Sequence, residues 1–528
     1  MSNQQQLQHL YWRAGFGPRP EDLAANLSPA QALRQLLRDA KAFTPLAPDR
    51  PASTPGGMMG GNASMPGRRP APGPVAAPPA PATSIQPGTA RPAGGSKFPG
   101  NRPAAMMRPA GPGSVGMGRP MLTPAQRQQQ SMASRTALVD LSTRWMAAMT
   151  TSPGQLREKM ALFWHGHFAC RTPQPEYLFA LLDTIREHAL GKFPDLLLAV
   201  SQSPAMVLFL NNQQNKKEHP NENFAREVME LFTLGRGNYT ETDVKEAARC
   251  FTGWTFDGQS SFMFRRREHD EGNKTLLGQT GNWGGEDALR ILLQQPVVAP
   301  FLVTKLYRFF VNDTPNPAHI EPLATAFRQS GYDLTDLLER MFSAPWFYDA
   351  ANVGSVVKSP VVLLAGMRRT LGLQVENERA LLNYQKALGQ TLFMPPNVAG
   401  WPSGRAWIDA SSLLLRLQLP DMLFNNADFA LRLKDNDNDV NPHSTGPERL
   451  TQSAGAPVRL PLAPLRQLLG TTPPAQQPQA LAAFLLQAPL RPEALKLVQQ
   501  VATKASSPDE QLRQTLVALL SLPEYQLS

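Results

Sequence analysis

The chain has 528 residues and is 42% hydrophobic, which suffices for a real core in one large body or two ordinary domains. Most of its formal net charge of +10 comes from residues 44–130, so the remainder is near neutral and indicates no specific nucleic-acid-binding fold. Only two cysteines are present and no apolar run approaches the ~20 residues of a membrane span, which argues against a disulfide framework and a transmembrane segment.

The first 130 residues contain two regions of different composition. Residues 1–42 predict N-terminal helices of the body, because Ser28 and Pro29 open an apolar-periodic run that reaches Ala40. Residues 43–130 are rich in Pro, Gly, Ala, Met and Arg and predict a disordered insertion. The spaced arginines of the insertion favour a solvated tether, and weak contact with polyanions is the alternative.

Helical periodicity dominates residues 131–433, which predict a helical core with the candidate site. One β-hairpin is predicted between Trp254 and Phe264, where Asp257-Gly258 separates two aromatic runs. A polar linker follows at residues 434–458, and residues 459–528 predict a C-terminal helical cap. The expected fold is mainly α: a single large helical body with a short β-hairpin and a long insertion. Eleven helices are predicted, approximately at residues 28–40, 123–149, 152–168, 175–190, 222–234, 240–252, 287–293, 299–311, 317–328, 334–342 and 360–371.

Two histidines stand in the first polar run, Phe163-Trp164-His165-Gly166-His167-Phe168. On a helix, residues two apart are separated by about 200° and cannot share one face. The two imidazoles therefore serve one site only if the helix ends near Gly166. His165 and His167 are candidate metal ligands, and a hydrogen-bonded core histidine is the alternative for either of them.

Carboxylates are concentrated in the second run, at residues 221–230. Glu227 and Glu230 share one helical face, where they are candidates for joint cation binding or for a general base whose pKa the other carboxylate raises. Asn223 lies on the same face, and Arg226 is a candidate counter-ion. The alternative is an Arg–Glu network that fixes two helices together.

The third run places His269 and Asp270 in a predicted loop before Lys274. An Asp beside a His can orient the imidazole or complete an oxygen-rich metal site. Lys274 suits an anion, and Trp254, at the start of the hairpin, is assigned to the lining of the same site. Together the three runs predict a site for a divalent metal with His165, His167, His269 and Asp270 as ligands.

Other motifs give little support for a named chemistry. The sequence contains no Gly-x-Ser-x-Gly elbow, no His-Glu-x-x-His and no dinucleotide fingerprint. The segment at residues 395–407 contains two tryptophans and is a candidate pocket lining or sugar site. A proline-stiffened loop held by those tryptophans is the alternative.

Several ordered motifs outside the insertion resemble the bacterial domain-of-unknown-function 1800 family (DUF1800). The resemblance rests on Arg13-Ala14-Gly15-Phe16-Gly17, Phe163-Trp164-His165-Gly166-His167-Phe168, residues 221–235, Tyr239-Thr240-Glu241, residues 246–254, His269-Asp270, Lys274-Thr275, Leu277-Gly278, Val357-Lys358-Ser359-Pro360 and residues 395–407.

This resemblance implies a helical bacterial protein, often exported and often encoded beside a DUF1501 protein of the sulfatase and alkaline-phosphatase type. It implies no established activity. Residues 1–6 have no basic region followed by an apolar stretch, so no leader is predicted and the chain is expected to be soluble and cytoplasmic as written. Export to the periplasm with a partner is the alternative that the resemblance implies.

Three functions are therefore compared. The first is a metal-binding protein which, if it is an enzyme, performs metal-assisted hydrolysis or redox chemistry with Glu227 or Glu230 as the base. The second is a non-catalytic helical scaffold or export partner of a DUF1501 protein. The third is an adaptor that binds polyanions or surfaces through residues 43–130.

Overall fold

The computed structural model describes residues 1–46, 123–257, 261–425, 431–432, 449–450, 458–488 and 490–528. Residues 1–48 and 128–528 form one compact unit, and residues 49–127 form a second, of which only 123–127 are described. The predicted insertion, its weak contact with polyanions and the predicted linker at 434–458 thus lie largely outside the described residues.

Helices make up most of the described structure, which confirms the mainly α fold. The prediction holds best where proline or a Ser/Thr cap opens an apolar-periodic run, because both features fix the first turn. The helices of the first half are α1 (Asn3–Ala14), α2 (Pro20–Ala24), α3 (Pro29–Asp39), α4 (Pro124–Thr151), α5 (Gln155–His167), α6 (Pro175–His188), α7 (Phe193–Ser201), α8 (Pro204–Phe209), α9 (Asn223–Glu227) and α10 (Glu241–Cys250).

The second half of the chain is also helical, and its last four helices lie within residues 459–528. Its helices are α11 (Gly285–Gln294), α12 (Val298–Phe310), α13 (Pro317–Gln329), α14 (Leu334–Ser343), α15 (Pro360–Leu371), α16 (Ala380–Leu388), α17 (Ala410–Asn425), α18 (Leu462–Leu469), α19 (Gln477–Leu485), α20 (Pro492–Thr503) and α21 (Pro508–Leu520).

Short two-stranded sheets connect the helices. β1 (Trp254–Phe256) pairs antiparallel with β2 (Phe262–Phe264), with Trp254 opposite Phe264, as the hairpin prediction requires. A second hairpin, β3 (Lys274–Leu276) with β4 (Gln279–Gly281), was not predicted. Its turn places Leu277 and Gly278 at positive φ, 48° and 80°, so the chain reverses within two residues. The remaining strands are β5 (Gln374–Val375), β6 (Leu431–Arg432), β7 (Arg449–Leu450) and β8 (Val458–Arg459).

The predicted helix at 222–234 is not α-helical throughout. It begins as α9 and continues as a π-helical turn, Val228–Thr233, in which the Leu234 amide donates to the Met229 carbonyl 2.8 Å away. Such turns carry one extra residue, so the α-helical spacing assumed for the candidate carboxylates does not continue past Glu227. The last carbonyls of the turn are left for other donors.

The core lies between these helices and includes the fully buried rings of Trp12, Trp145 and Trp164. Helix α5 runs through it and contacts α1, α3 and α6. The segments at residues 356–358 and 526–528 pair antiparallel, with the Lys358 amide donating to the Gln526 carbonyl. Within the described ranges, none of the helices has the combined length and apolar character that a membrane span needs.

Candidate functional site

His165 is a core histidine in this structure. Its Nε2 accepts a hydrogen bond from the Phe393 amide 3.1 Å away, and its ring packs against Trp145, Phe393 and Trp401. Burial lowers the pKa of His165 to about 3, so the imidazole is neutral. These contacts match the alternative in which His165 is held inside the fold by hydrogen bonding.

His167 points to a different environment, because α5 remains helical through Gly166. Its Nε2–H donates to the Phe232 carbonyl at 3.2 Å, and its Nδ1 accepts from the Lys305 ammonium at 3.1 Å. Burial, reinforced by the charge of Lys305, lowers the pKa of His167. The two bonds fix one neutral tautomer, and the acceptor for Nε2–H is one of the carbonyls that the π-helical turn leaves without a helical donor.

The carboxylates of the second run have unequal surroundings. Glu230 accepts from Arg236, 2.7 Å away, and from the Tyr239 hydroxyl, and the Tyr239 hydrogen bond and Arg236 lower its pKa. Glu227 is half-buried, and burial together with Glu230 raises its pKa. Glu227 is therefore the better candidate base of the two. Arg226 forms ion pairs with Glu222 and Glu241 outside this pair, and the Asn223 amide group donates to the Leu210 carbonyl.

The third run forms a separate cluster beside the two hairpins. The His269 Nδ1–H donates to the Thr252 carbonyl at 2.9 Å, and Asp270 pairs with Arg249 at 2.7 Å. The Arg249 hydrogen bond lowers the pKa of Asp270. Lys274 donates to the Asp270 carbonyl and to Asn282, and it begins β3 after the loop that holds His269 and Asp270. Trp254, which was also assigned to the lining of this site, packs in the core against Phe224, Phe251 and Phe262.

The predicted metal site is not confirmed by this arrangement. Each of the four candidate ligands has its own partner: Phe393 for His165, Phe232 and Lys305 for His167, Thr252 for His269 and Arg249 for Asp270. Across the part of the chain that the structure describes, no group of three or more His, Cys, Asp or Glu side chains is arranged to hold a metal ion.

A cavity of about 300 Å³ lies instead where α1, α5 and α12 meet the segments at 356–359 and 399–407. Its volume suits a small molecule. Most of its lining belongs to motifs quoted above, and His167 is the one predicted ligand that lines it. The lining residues are Trp12, Arg13, Lys159, Leu162, Phe163, Gly166, His167, Lys305, Arg308, Phe309, Asp313, Val356, Val357, Lys358, Ser359, Val362, Gln390, Ala399, Trp401, Pro402, Ser403, Gly404, Trp407 and Ser528.

The charges of these lining side chains are unbalanced. One carboxylate, Asp313, accompanies five cationic side chains, and we call this space the basic cavity. Its cationic side chains are Arg13, Lys159, Lys305, Arg308 and Lys358. Arg13, Lys159 and Lys358 are buried, with exposed fractions of 2%, 5% and 1%. Buried cations without a counter-ion cost free energy unless they lose a proton or gain an anion.

Protein carbonyls and ring faces hold the lysines of the basic cavity. Lys159 donates to the Gly15 carbonyl at 2.8 Å and to the Trp12 carbonyl at 3.3 Å. Burial, with the charge of Arg13 adding to it, lowers the pKa of Lys159 to about 7. Lys305 bridges His167 and the Leu231 carbonyl, and burial lowers its pKa to about 8.

Lys358 occupies a pocket between two aromatic rings. Its Nζ lies 3.7 Å from the ring centroid of Trp12 and 3.9 Å from that of Tyr525, and it donates to the Tyr525 carbonyl at 2.7 Å. Burial lowers the pKa of Lys358, and the charges of Lys159 and Arg416 act in the same direction. The two ring faces oppose this shift because they attract the ammonium form.

Arg13 and Trp12 have hydrogen-bond donors left over. One terminal nitrogen of Arg13, Nη2, donates to the Asn352 carbonyl and to Ser355. The other two guanidinium nitrogens, and the indole nitrogen of Trp12, are buried without a partner among the described residues. Buried donors are normally satisfied, so these three nitrogens are unsatisfied donors packed behind the cavity wall and are not part of its accessible surface.

Two glycines allow the segment at 399–407 to close over the cavity. At Gly400, where φ is 85°, a Cβ would lie 2.4 Å from the carbonyl oxygen of Gly166 in α5. At Gly404, where φ is 57°, a Cβ would overlap the carboxylate of Asp313. Both positions therefore require glycine, and they seat Trp401 and Trp407 in the cavity wall. This segment is thus a pocket lining, one of the two interpretations given above.

The basic residues of the cavity were not predicted from the sequence to form a site. Arg13 and Lys358 were quoted only within motifs, and Lys159 and Lys305 were not singled out. A usable signal exists in hindsight for Arg13, Lys159 and Lys305, because these three stand within apolar helical runs, where a solvated face is not expected. No pattern in the chain indicates that four distant segments meet.

Comparison with known proteins agrees with the resemblance of the motifs. A family model described as "Protein of unknown function (DUF1800)" matches residues 9–527. No curated protein and no solved structure matches the chain.

Proposed function

The chain belongs to the DUF1800 family of proteins of unknown function, and we propose that it binds a small organic anion in the basic cavity. One observation carries the proposal: five cationic side chains and a single side-chain carboxylate line one cavity. An anion there supplies the counter-charge that the buried cations lack.

The aromatic lining of the cavity favours a ligand that carries an apolar group beside its anionic group. Rings of Phe163, Phe309, Trp401 and Trp407 line the same space as the cations. Ring faces favour a flat apolar group, and their burial on binding adds to the free energy of association. The proposed ligand is therefore a carboxylate or phosphate that carries an aromatic or other flat apolar group.

Calorimetric titration of the purified protein tests the proposal, with benzoate and phenyl phosphate as probes and uncharged benzamide as the matched control. Both anions are expected to bind and benzamide is not. Arg308→Ala, which removes an exposed cation of the lining, should weaken benzoate binding about two- to fivefold, the range for an exposed charge pair. Arg34→Ala, an exposed arginine on α3, is the control and should leave binding unchanged. Equal binding of benzamide, or an equal loss in both variants, overturns the proposal.

A non-catalytic scaffold that associates with a DUF1501 protein is the second candidate. Ion pairs favour it, because Arg226, Glu230 and Asp270 all bind protein side chains and so connect separate segments. Co-purification of the two proteins, and loss of the partner's stability without this chain, would support it. Export with that partner follows from the resemblance and belongs to the same proposal.

The metal-dependent reaction and the role of Glu227 or Glu230 as its base stay predictions from the sequence. Elemental analysis of protein purified without chelator tests them directly. Glu227→Gln is the informative variant, since the half-buried carboxylate of Glu227 has a raised pKa. Glu230→Gln is its control, because Glu230 is already occupied by Arg236 and Tyr239.

A further inference from the structure

We infer that Lys159 is the nucleophile of the basic cavity and forms an imine with an aldehyde or ketone group of the bound anion. The inference rests on the proposed function, since the anionic group is what brings the carbonyl into the cavity. It adds a substrate class, anionic aldehydes and ketones, and a covalent step at a named atom.

The hydrogen bonds of Lys159 support a free lone pair. A neutral amine has two hydrogens and one lone pair in a tetrahedral arrangement. Both hydrogens have acceptors, the carbonyl oxygens of Gly15 and Trp12. The lone pair then occupies the remaining direction, and no third acceptor for an ammonium hydrogen contacts Lys159 within the described residues.

Burial and a neighbouring cation shift Lys159 towards the neutral amine. The side chain is buried on α5, and this burial outweighs the rings of Phe16 and Phe309, 5.1 and 5.7 Å from its Nζ, which favour the ammonium form. Arg13 lies close enough to disfavour a second positive charge, and burial and Arg13 lower the pKa of Lys159 to about 7. Desolvation beside another cation is a general way to activate a lysine as a nucleophile.

The other two lysines of the cavity are less suited to this step. The Nζ of Lys358 is covered by the rings of Trp12 and Tyr525, both within 4 Å of it, so a carbonyl carbon has little access. Lys305 is engaged with the ring nitrogen of His167. Its pKa of about 8 also leaves more of it protonated at neutral pH than Lys159.

The step needs no further reactant. The lone pair of Lys159 attacks the carbonyl carbon and a carbon–nitrogen bond forms, with the carbonyl oxygen becoming a hydroxyl. That carbon–oxygen bond then breaks, and the oxygen leaves as water with both hydrogens of the amine. The product is a neutral imine that no longer donates to Gly15 and Trp12.

Reductive trapping tests the inference on the full-length protein. The protein is incubated with 4-formylbenzoate and sodium cyanoborohydride at pH 7.5, and labelled lysines are mapped by peptide mass spectrometry. An ordinary lysine, with a pKa near 10.4, is neutral to roughly one part in a thousand at this pH. Lys159 should therefore be labelled roughly a hundredfold faster than the exposed Lys217, and an excess of benzoate should prevent it.

Lys159→Arg is the matched variant, because arginine keeps the positive charge but forms no imine. It is expected to lose the fast label, whereas Lys217→Arg, at an exposed position outside the cavity, should keep both benzoate binding and the label at Lys159. The wild-type map decides the question even where this variant fails to fold. Fast labelling at Lys305 or Lys358, or labelling spread evenly over exposed lysines, overturns the inference.

Calorimetry with benzoate separates the two proposals. Benzoate binding without labelling of Lys159 overturns the imine and leaves anion binding supported. Absence of both overturns the proposed function together with the inference. Labelling of Lys159 that an excess of benzoate prevents supports both anion binding and the imine.

Discussion

Glu158 and Lys159 are neighbours on α5, yet they belong to two buried clusters with opposite electrostatics. Glu158 pairs with Arg186 at 2.8 Å, and Arg186 also pairs with Asp183 at 3.0 Å; we call these three residues the paired cluster. The Trp145 indole nitrogen donates to Glu158 as well, at 2.9 Å. Lys159 faces the basic cavity, where the charge of Arg13 adds to burial in lowering its pKa.

The comparison shows that burial alone does not decide the state of a cation. Burial lowers the pKa of Arg186, but the hydrogen bond and charge of Glu158 outweigh it, and the pKa is raised overall. For Lys159 no carboxylate opposes burial, and the pKa falls. The paired cluster is complete without a ligand and stabilises the fold, whereas the basic cavity is electrostatically incomplete without one.

The largest expected effect comes from breaking the paired cluster. Glu158→Gln keeps the shape of the side chain but leaves Arg186 buried without its main counter-ion. Removing one partner of a buried ion pair costs about 3–5 kcal/mol, so the free energy of unfolding in urea should fall by that amount. Asp336→Asn removes the exposed pair with Arg340 and should cost less than about 1 kcal/mol. A similar loss of unfolding free energy in Glu158→Gln and Asp336→Asn would show that the paired cluster stabilises the fold no more than an exposed ion pair does.

Lys159→Met should leave the free energy of unfolding unchanged or higher and should weaken benzoate binding. Replacing a buried charge by an apolar side chain of similar size is often neutral or stabilising, so the free energy of unfolding should stay within about 1 kcal/mol of wild type or rise. At pH 6, below its pKa of about 7, Lys159 is protonated, and loss of this charged hydrogen-bond donor costs about 1.5–3 kcal/mol of binding, or roughly ten- to a hundredfold in the dissociation constant of benzoate. A destabilised variant with unchanged benzoate affinity would show that Lys159 has a structural role.

The smallest expected effect is a pH dependence. Lys159 is protonated below its folded pKa of about 7, and in the unfolded chain it is protonated up to about pH 10.4. Between these values the unfolded state binds more protons, so the free energy of unfolding rises with pH by at most ~1.4 kcal/mol per unit. Urea unfolding from pH 7 to 9 should show this rise in wild type and a smaller rise in Lys159→Met. Parallel curves would contradict it.

The fold was predictable to the extent that it is local. Pro29, Pro175, Pro317 and Pro360 mark helix starts that the structure places within a residue of the prediction, because proline fixes the first turn. Helices were predicted within residues 1–42, but the bounds of α1 were not. The first turn of α1, at residues 3–6, is polar, so the helical periodicity of the apolar residues that follow is not evident from the start of the helix.

The candidate site was predictable only in part, because its geometry depends on contacts between distant segments. The motif at residues 163–168 contributes Phe163, Gly166 and His167 to the wall of the basic cavity. The extra residue in the π-helical turn, by contrast, is not visible in a helical pattern, so the shared face assumed for Glu227 and Glu230 was uncertain from sequence. The convergence of Arg13, Lys159 and Lys358 arises from helix packing and from the pairing of residues 356–358 with 526–528.

The fixed tautomer of His167 gives the molecule a spectroscopic reporter. A buried imidazole proton held on Nε2 by the Phe232 carbonyl exchanges slowly with water, and such protons resonate downfield of the amide envelope in NMR spectra. Because Nδ1 of the same ring accepts from Lys305, any molecule that draws the ammonium away alters the chemical shift of that proton. Occupancy of the cavity can thus be followed from a single resonance, in a native sample and without a label.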